Sequence, residues 1–289
     1  MARRPDICTY REVYESDNNS SCDPVFFTHK ILTEGDSWFT IGGHNLRNPW
    51  FSNILFTLRF PRDTLLLNLA YPGDTIRHIS AMPRDYSFKF AIEYQKNDPW
   101  DAIVLSAGGN DLIDKAHTLI WSEPERRNIT INTVSDYCNS NALDHFLQNI
   151  DSHYRRLAQI RGNQDIPIII HTYDYPTPRN SPAYFFGVAR FGPWLYKVMI
   201  DAKIQKKDWM KLSDYLFDKL ANKILSLSKG QNKIPNFHAI DTRNTLVRAK
   251  LGATGNSGDW FNEIHPNKNG YKKIARLIEK KLSEVMRIK

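Results

Sequence analysis

Ala102-Ile103-Val104-Leu105-Ser106 is an unbroken apolar run that halts on Ala107-Gly108-Gly109-Asn110-Asp111. A run this short, closed by glycine and polar residues, suits a strand buried on both faces. Four more stretches repeat the arrangement. Lys30-Ile31-Leu32-Thr33 leads into Glu34-Gly35-Asp36-Ser37, and Thr64-Leu65-Leu66-Leu67-Asn68-Leu69-Ala70 into Tyr71-Pro72-Gly73-Asp74. Ile166-Pro167-Ile168-Ile169-Ile170-His171 leads into Tyr173-Asp174-Tyr175-Pro176, and Phe237-His238-Ala239-Ile240 into Asp241-Thr242-Arg243. Between them lie segments long enough for crossover helices. Leu143, Phe146, Leu147, Ile150, Tyr154 and Leu157 form an amphipathic stripe, as do Tyr271, Ile274, Ala275, Ile278, Leu282 and Val285, with a helix start at Asn269-Gly270. Strands alternating with helices predict an α/β fold with five parallel strands and helices on both faces, a three-layer αβα sandwich.

Residues 1–24 are polar and read as an irregular arm. Residues 25–289 read as one domain, with excursions over the sheet rim near 112–141 and 177–215. The 289 residues are 41% hydrophobic and 24% charged, an ordinary globular composition that excludes a mainly disordered or collagen-like chain. No apolar run approaches the length of a transmembrane helix. No apolar stretch follows the basic start at Arg3-Arg4, so no signal peptide is expected in the chain as given, and a cytoplasmic location is the default. Cys8, Cys22 and Cys138 are scattered and odd in number, and read as neither a disulfide framework nor zinc ligands.

The formal charge is +8, and eight basic residues against two acidic ones fall between Lys268 and Lys289. This is read as the solvated face of the last helix. Nucleic acid is not the expected partner, because no recognition motif accompanies the charge. Of the histidines, His44, His78, His117 and His171 read as structural or surface residues, and none has metal-ligand spacing.

In a parallel sheet the C-terminal strand ends share one edge, where ligands bind. Ser37, Gly73 and Asn110 follow the first three predicted strands, and His265 follows the fifth, in Asp259-Trp260-Phe261-Asn262-Glu263-Ile264-His265-Pro266. A serine and a histidine supply a nucleophile and a general base. A glycine N–H and an asparagine amide supply donors for an oxyanion. Asp174 follows the fourth strand and is either a turn former or a substrate contact. The aromatic segment Tyr184–Tyr196, which includes Trp194, is either a wall over the crevice or packing for the excursion.

Gly35-Asp36-Ser37, Gly73, Gly109-Asn110-Asp111 and His265-Pro266, in that order, resemble the four blocks of the SGNH hydrolases, the GDSL-type esterases and lipases. The resemblance extends from about residue 30 to the end and is specific only at the blocks. It implies a flavodoxin-like sandwich and ester hydrolysis through Ser37 with His265 as base. It also implies an oxyanion hole from Ser37 N–H, Gly73 N–H and the Asn110 amide, and no metal or organic cofactor. The implied substrate is a small-molecule, lipid or glycan ester; oligomeric state is not legible.

One position departs from the pattern. The family carries Asp three residues before the histidine, and Asn262 stands there. Asn262 could orient the imidazole without a charge; Asp259 could supply a carboxylate if the loop folds back; Glu263 or a main-chain carbonyl is the remaining option. A catalytically degenerate binder on the same fold, and a module using the basic last helix on an anionic surface or nucleic acid, are the rival readings.

Overall fold

The computed structural model describes residues 2–15, 21–40, 52–81, 86–93, 99–185 and 189–286. His44, the stretch Phe186-Gly187-Val188 of the aromatic segment, and Arg287 and Lys289 of the basic run lie outside the described residues.

The elements run β1 (Asp6–Cys8), α1 (Tyr10–Tyr14), β2 (His29–Gly35), α2 (Ser37–Thr40), α3 (Ile54–Thr57), β3 (Thr64–Asn68), α4 (Ile76–Ile79), α5 (Tyr86–Glu93) and β4 (Ala102–Ser106). They continue α6 (Gly109–Leu119), α7 (Ser140–Arg161), β5 (Ile168–His171), β6 (Ala183–Phe185), β7 (Ala189–Phe191), α8 (Leu195–Asp201), α9 (Trp209–Ser226), β8 (Phe237–Ile240) and α10 (Lys268–Val285). All five apolar runs of the sequence are strands. The sheet has six strands, in the order β1-β3-β2-β4-β5-β8, every neighbouring pair parallel.

Helices cover both faces. α10 packs on α3 and on β5 and β8, while α7 packs on α4, α5, α6 and α9. The α7 stripe buries Leu143, Phe146, Ile150, Tyr154 and Leu157, and α10 buries Tyr271, Ile274, Ala275, Ile278 and Leu282. Full burial of such a side chain contributes about 1.5–3 kcal/mol. The last helix begins at Lys268 rather than at Asn269-Gly270, because the Asn267 carboxamide oxygen caps the Asn269 and Gly270 N–H groups. Lys268, Lys272, Arg276 and Lys280 are exposed, spaced four residues apart along one side of α10.

Leaving β1 aside, the strands follow the flavodoxin order 2-1-3-4-5. Its topological switch point lies between β2 and β4, where a crevice opens beyond the strand ends. There the two strands come unusually close. Gly35 pairs with Ser106, and a Cβ on Gly35 would sit 2.4 Å from the Ser106 carbonyl oxygen. The glycine before Asp36-Ser37 is therefore a packing requirement of the sheet itself.

The sixth strand corrects the expected count. β1 belongs to the arm read as irregular, and pairs Asp6, Ile7 and Cys8 with Leu65, Leu66 and Leu67 of β3. A three-residue edge strand beginning on aspartate carries too little apolar pattern to be seen in sequence. The reading of the cysteines is corrected as well: Cys8 and Cys22 form a disulfide with Cα atoms 6.1 Å apart, and buried Cys138 is free.

Near 112–141 the chain completes α6 and passes through a single 3₁₀ turn at Val134–Tyr137. Near 177–215 it forms the antiparallel β6–β7 hairpin, α8 and the start of α9. Among the described residues, no helix is long and apolar enough to cross a membrane, and no cluster of three or more His, Cys, Asp or Glu could hold a metal ion.

Candidate active site

β2 ends at Gly35 and the chain turns at once into α2, whose first residue is Ser37. Asp36 makes that turn. Its N–H donates to Ser106 O at 2.9 Å, and its Oδ1 accepts the Trp38 N–H at 3.0 Å. The helix start is thus capped by Asp36, which leaves the Ser37 hydroxyl uncommitted to the backbone. Ser37 Oγ lies 2.8 Å from His265 Nε2 across 228 residues of chain.

The other imidazole nitrogen faces Asn262. Asn262 Oδ1 accepts the N–H groups of Ile264 (3.1 Å) and His265 (2.9 Å), and lies 3.0 Å from His265 Nδ1. Two backbone donors require that the side-chain atom they meet be the oxygen, so Nδ1 must carry the proton. The Nε2 lone pair is then aimed at Ser37 Oγ. Burial pushes the His265 pKa down to about 3, so the resting imidazole is neutral.

Three residues hold this loop, and of these sequence reasoning named Glu263 alone, as an option for orienting the imidazole. Trp38 Nε1 donates to Ile264 O at 3.2 Å, joining the residue after the serine to the residue before the histidine. Arg179 Nη2 donates to Asn262 O at 2.6 Å. Buried Glu263 turns away from the imidazole: its carboxylate accepts the backbone N–H groups of Arg179 (3.2 Å), Tyr196 (2.6 Å) and Trp194. Burial lifts its pKa to about 7, against the pull of those donors. The Glu263 N–H also donates to Ser181 O at 3.0 Å, so one residue grips both roots of the β6–β7 hairpin. Trp194 stands edge-on to the His265 ring with centroids 5.7 Å apart. Beyond the naming of Glu263 and Trp194, the position of Trp38 beside Ser37 is the sequence signal for these contacts.

Asp259 is not brought to the histidine. Its Oδ2 accepts the Val247 N–H at 2.6 Å and Lys273 Nζ at 2.5 Å, which ties the loop to α10. Asp174 reaches the crevice, but its carboxylate accepts the N–H groups of Tyr175 (2.7 Å), Asn244 (2.9 Å) and Leu246 (2.6 Å). It organises a turn and also lines the cavity beside Ser37. Gly73, at φ +89°, is the third residue of a turn closed by the Asp74 N–H on Tyr71 O. That left-handed conformation is one that side chains resist. Asn110, in the first turn of α6, donates one Nδ2 hydrogen to Asp74 O at 2.9 Å, which joins the second and third blocks and leaves its second N–H free to serve a ligand.

Ser37, Asn110 and Gly109 border a cavity of about 20 Å³. Its remaining walls combine Ile113, Pro176, Phe217 and Ile264 with the rings of Trp38, Tyr173 and Trp260 and with Asp36 and Asp174.

A second serine–histidine contact lies beneath the first. His171 Nε2 is 3.0 Å from Ser106 Oγ, and Ser106 Oγ donates to Asp36 Oδ1 at 2.8 Å. Tyr173 Oη donates to Asp36 Oδ2 at 2.5 Å. The ingredients are those of a triad, but the order is wrong, since the carboxylate contacts the serine and not the imidazole. The Tyr173 N–H donates to His171 Nδ1 at 3.3 Å, so Nε2 carries the hydrogen and cannot take one from Ser106. Ser106 and His171 are both 0% exposed. The set holds Asp36, and through it Trp38 and Ser37. Burial raises the Asp36 pKa to about 6 and lowers that of His171 to about 3.

No family model matches the chain, and no curated protein matches it. Solved structures do. A lipase from a goat rumen metagenome aligns over 88% of this chain and 97% of its own, with a TM-score of 0.51 and 15% identity. A protein described as a possible lipase from Chitinophaga pinensis aligns over 89% and 98%, with a TM-score of 0.50 and 13% identity. At this identity the likeness is one of fold. The chain shares the fold of these two proteins.

Proposed function

We propose that the protein is an ester hydrolase working through an acyl-Ser37 intermediate. The reading rests on one observation above the others: the 2.8 Å contact between Ser37 Oγ and an imidazole nitrogen whose lone pair must face it, at the edge of a cavity. As Ser37 Oγ attacks the ester carbonyl carbon, its proton passes to His265 Nε2. The carbonyl oxygen becomes an oxyanion, met by the free Asn110 N–H and by backbone N–H groups, of which Ser37 and Gly73 are the candidates. One such donor is worth about 2.7–4 kcal/mol in the transition state. Collapse breaks the bond to the alkoxy oxygen, which takes the proton from Nε2 and leaves as the alcohol. Water then gives a proton to Nε2 and attacks the acyl carbon; the bond to Ser37 Oγ breaks, Oγ takes that proton back from Nε2, and the carboxylic acid leaves.

Asn262 is the positioning residue in this scheme. It fixes the tautomer without adding charge, so the imidazolium forms without a carboxylate to stabilise it. The test is labelling with a fluorophosphonate probe and mapping the adduct by peptide mass spectrometry. A single adduct on Ser37, lost in His265→Ala, is the expected result. An adduct on another residue, or none on a protein that hydrolyses esters, overturns the assignment.

A further inference from the structure

We infer that Trp194 is a positioning residue that keeps water from the His265 ring; this rests on the ester-hydrolase reading. His265 is only 3% exposed, although it sits on a loop between β8 and α10. Trp194 meets it edge-on, with ring centroids 5.7 Å apart and planes at 79°. Trp194 itself is half-buried. A half-exposed ring in contact with a buried one stands between that ring and the solvent. Trp194 is not among the described residues that border the cavity beside Ser37, so its contact is with the base rather than with the space for the ester. Its backbone is tied to the loop it covers. Glu263, two residues before His265, accepts the N–H groups of Trp194 and Tyr196, and that of Arg179, whose guanidinium donates to Asn262 O. The indole cannot drift from the imidazole without breaking buried hydrogen bonds to a carboxylate.

The shield has a chemical purpose. Asn262 brings no charge to Nδ1, and burial alone lowers the His265 pKa to about 3. The charged side chains of the surrounding elements are each engaged elsewhere. Asp36 is bonded to Tyr173 and Ser106, Asp174 to backbone N–H groups, and Asp259 to Lys273. Glu263 is bonded to the hairpin root, Arg179 to the carbonyl oxygens of Ala253, Gly255 and Asn262, and Lys197 of α8 to Asp201. A wet imidazole would return toward the ordinary value near 6.5. It would then take its proton from mildly acidic solution and not from Ser37.

The test is the ¹⁵N spectrum of the His265 imidazole between pH 5 and 8 in the wild type, Trp194→Phe and Trp194→Ala, with the signal assigned by its loss in His265→Gln. The kcat and KM on p-nitrophenyl acetate are measured over the same range. A neutral ring shows one protonated and one bare nitrogen, and an imidazolium shows two protonated ones. Ring protonation is thereby told apart from the titration of Glu263, which falls in the same window. The wild type and Trp194→Phe, which keeps a ring over the base, are expected to stay neutral throughout. Trp194→Ala is expected to become protonated inside the window. It is also expected to lose about tenfold more kcat/KM than the wild type between pH 7 and 5, with its KM at pH 8 unchanged. A ring that stays neutral in Trp194→Ala overturns the shield; a raised KM at pH 8 beside that neutral ring assigns the indole to substrate instead. Trp194→Val takes the place of the alanine variant should the latter not fold. If no protein, wild type included, turns over the ester while the ring of Trp194→Ala becomes protonated, the hydrolase reading falls and the shield stands.

Discussion

The molecule contains two serine–histidine pairs, and the difference between them is instructive. Ser37–His265 and Ser106–His171 have nearly equal separations, 2.8 and 3.0 Å. Distance alone does not tell them apart. What differs is the partner on the far side of each ring. Asn262 offers an oxygen to His265 Nδ1, which leaves Nε2 basic toward its serine; the Tyr173 N–H occupies His171 Nδ1, which turns Nε2 into a donor. A cavity borders Ser37, and neither member of the second pair is exposed. The same two side chains are arranged for proton transfer in one place and as a structural prop in the other.

The largest expected effect separates the pairs directly. Ser37→Ala is expected to cut kcat/KM on p-nitrophenyl acetate by about 10⁴-fold or more. Ser106→Ala gives up bonds worth about 1 kcal/mol each and shows mainly as a lower Tm. Equal rate losses in the two variants would erase the distinction. Next in size is Trp38→Phe, which keeps the ring but deletes the N–H that ties the nucleophile's neighbour to the base loop. Its kcat is expected to fall about 10- to 100-fold with little change in KM, since small misplacements of reacting groups are expensive. A KM increase at constant kcat would assign Trp38 to substrate binding.

The pH dependence sharpens the contrast further. His265 must be unprotonated to act, and burial keeps its pKa near 3, so its own titration does not cost activity at pH 5–6. Asn262→Asp puts a negative charge against Nδ1, which favours the imidazolium and raises that pKa. The variant is expected to turn over faster near pH 8 by severalfold, yet to lose activity at a higher pH on the acid side than the wild type. Identical acid limbs would show that the residue at 262 does not govern the base.

The smallest effect is on stability. His171 has a folded pKa of about 3, below its unfolded value near 6.5, so it contributes stability at neutral pH that is lost as pH falls through that window. His171→Gln is expected to flatten the fall in Tm between pH 7 and 4 by a few degrees. A slope as steep as in the wild type would leave His265 as the dominant group.

Sequence carried the five long strands because each is a continuous hydrocarbon run ended by a turn former. Those runs also located Ser37, Asn110 and His265, since residues following parallel strands converge on one edge. What lay hidden was every fact decided by distant partners. Sequence put Asn262 ahead of Asp259 as the neighbour of His265, but what keeps Asp259 away is Lys273 and the Val247 N–H claiming it. Glu263 was offered only as a partner for the imidazole and Arg179 gave no signal, because the work of both is done on backbone groups remote in the chain. Cys8 and Cys22 sat in a polar arm with an odd third cysteine, and their pairing follows only once β1 is docked.

That docking has a practical side. β1 is three residues long and forms one rim of the sheet, and the Cys8–Cys22 link closes a loop around its outgoing end. Very short rim strands are one way that proteins avoid adhering to their own copies. Treatment with a reductant would let this strand peel off, and the amides of Leu65 to Leu67 would then stand open as a template for another chain. Storage and assay buffers free of thiols should therefore favour a clean monodisperse sample over a slowly clumping one.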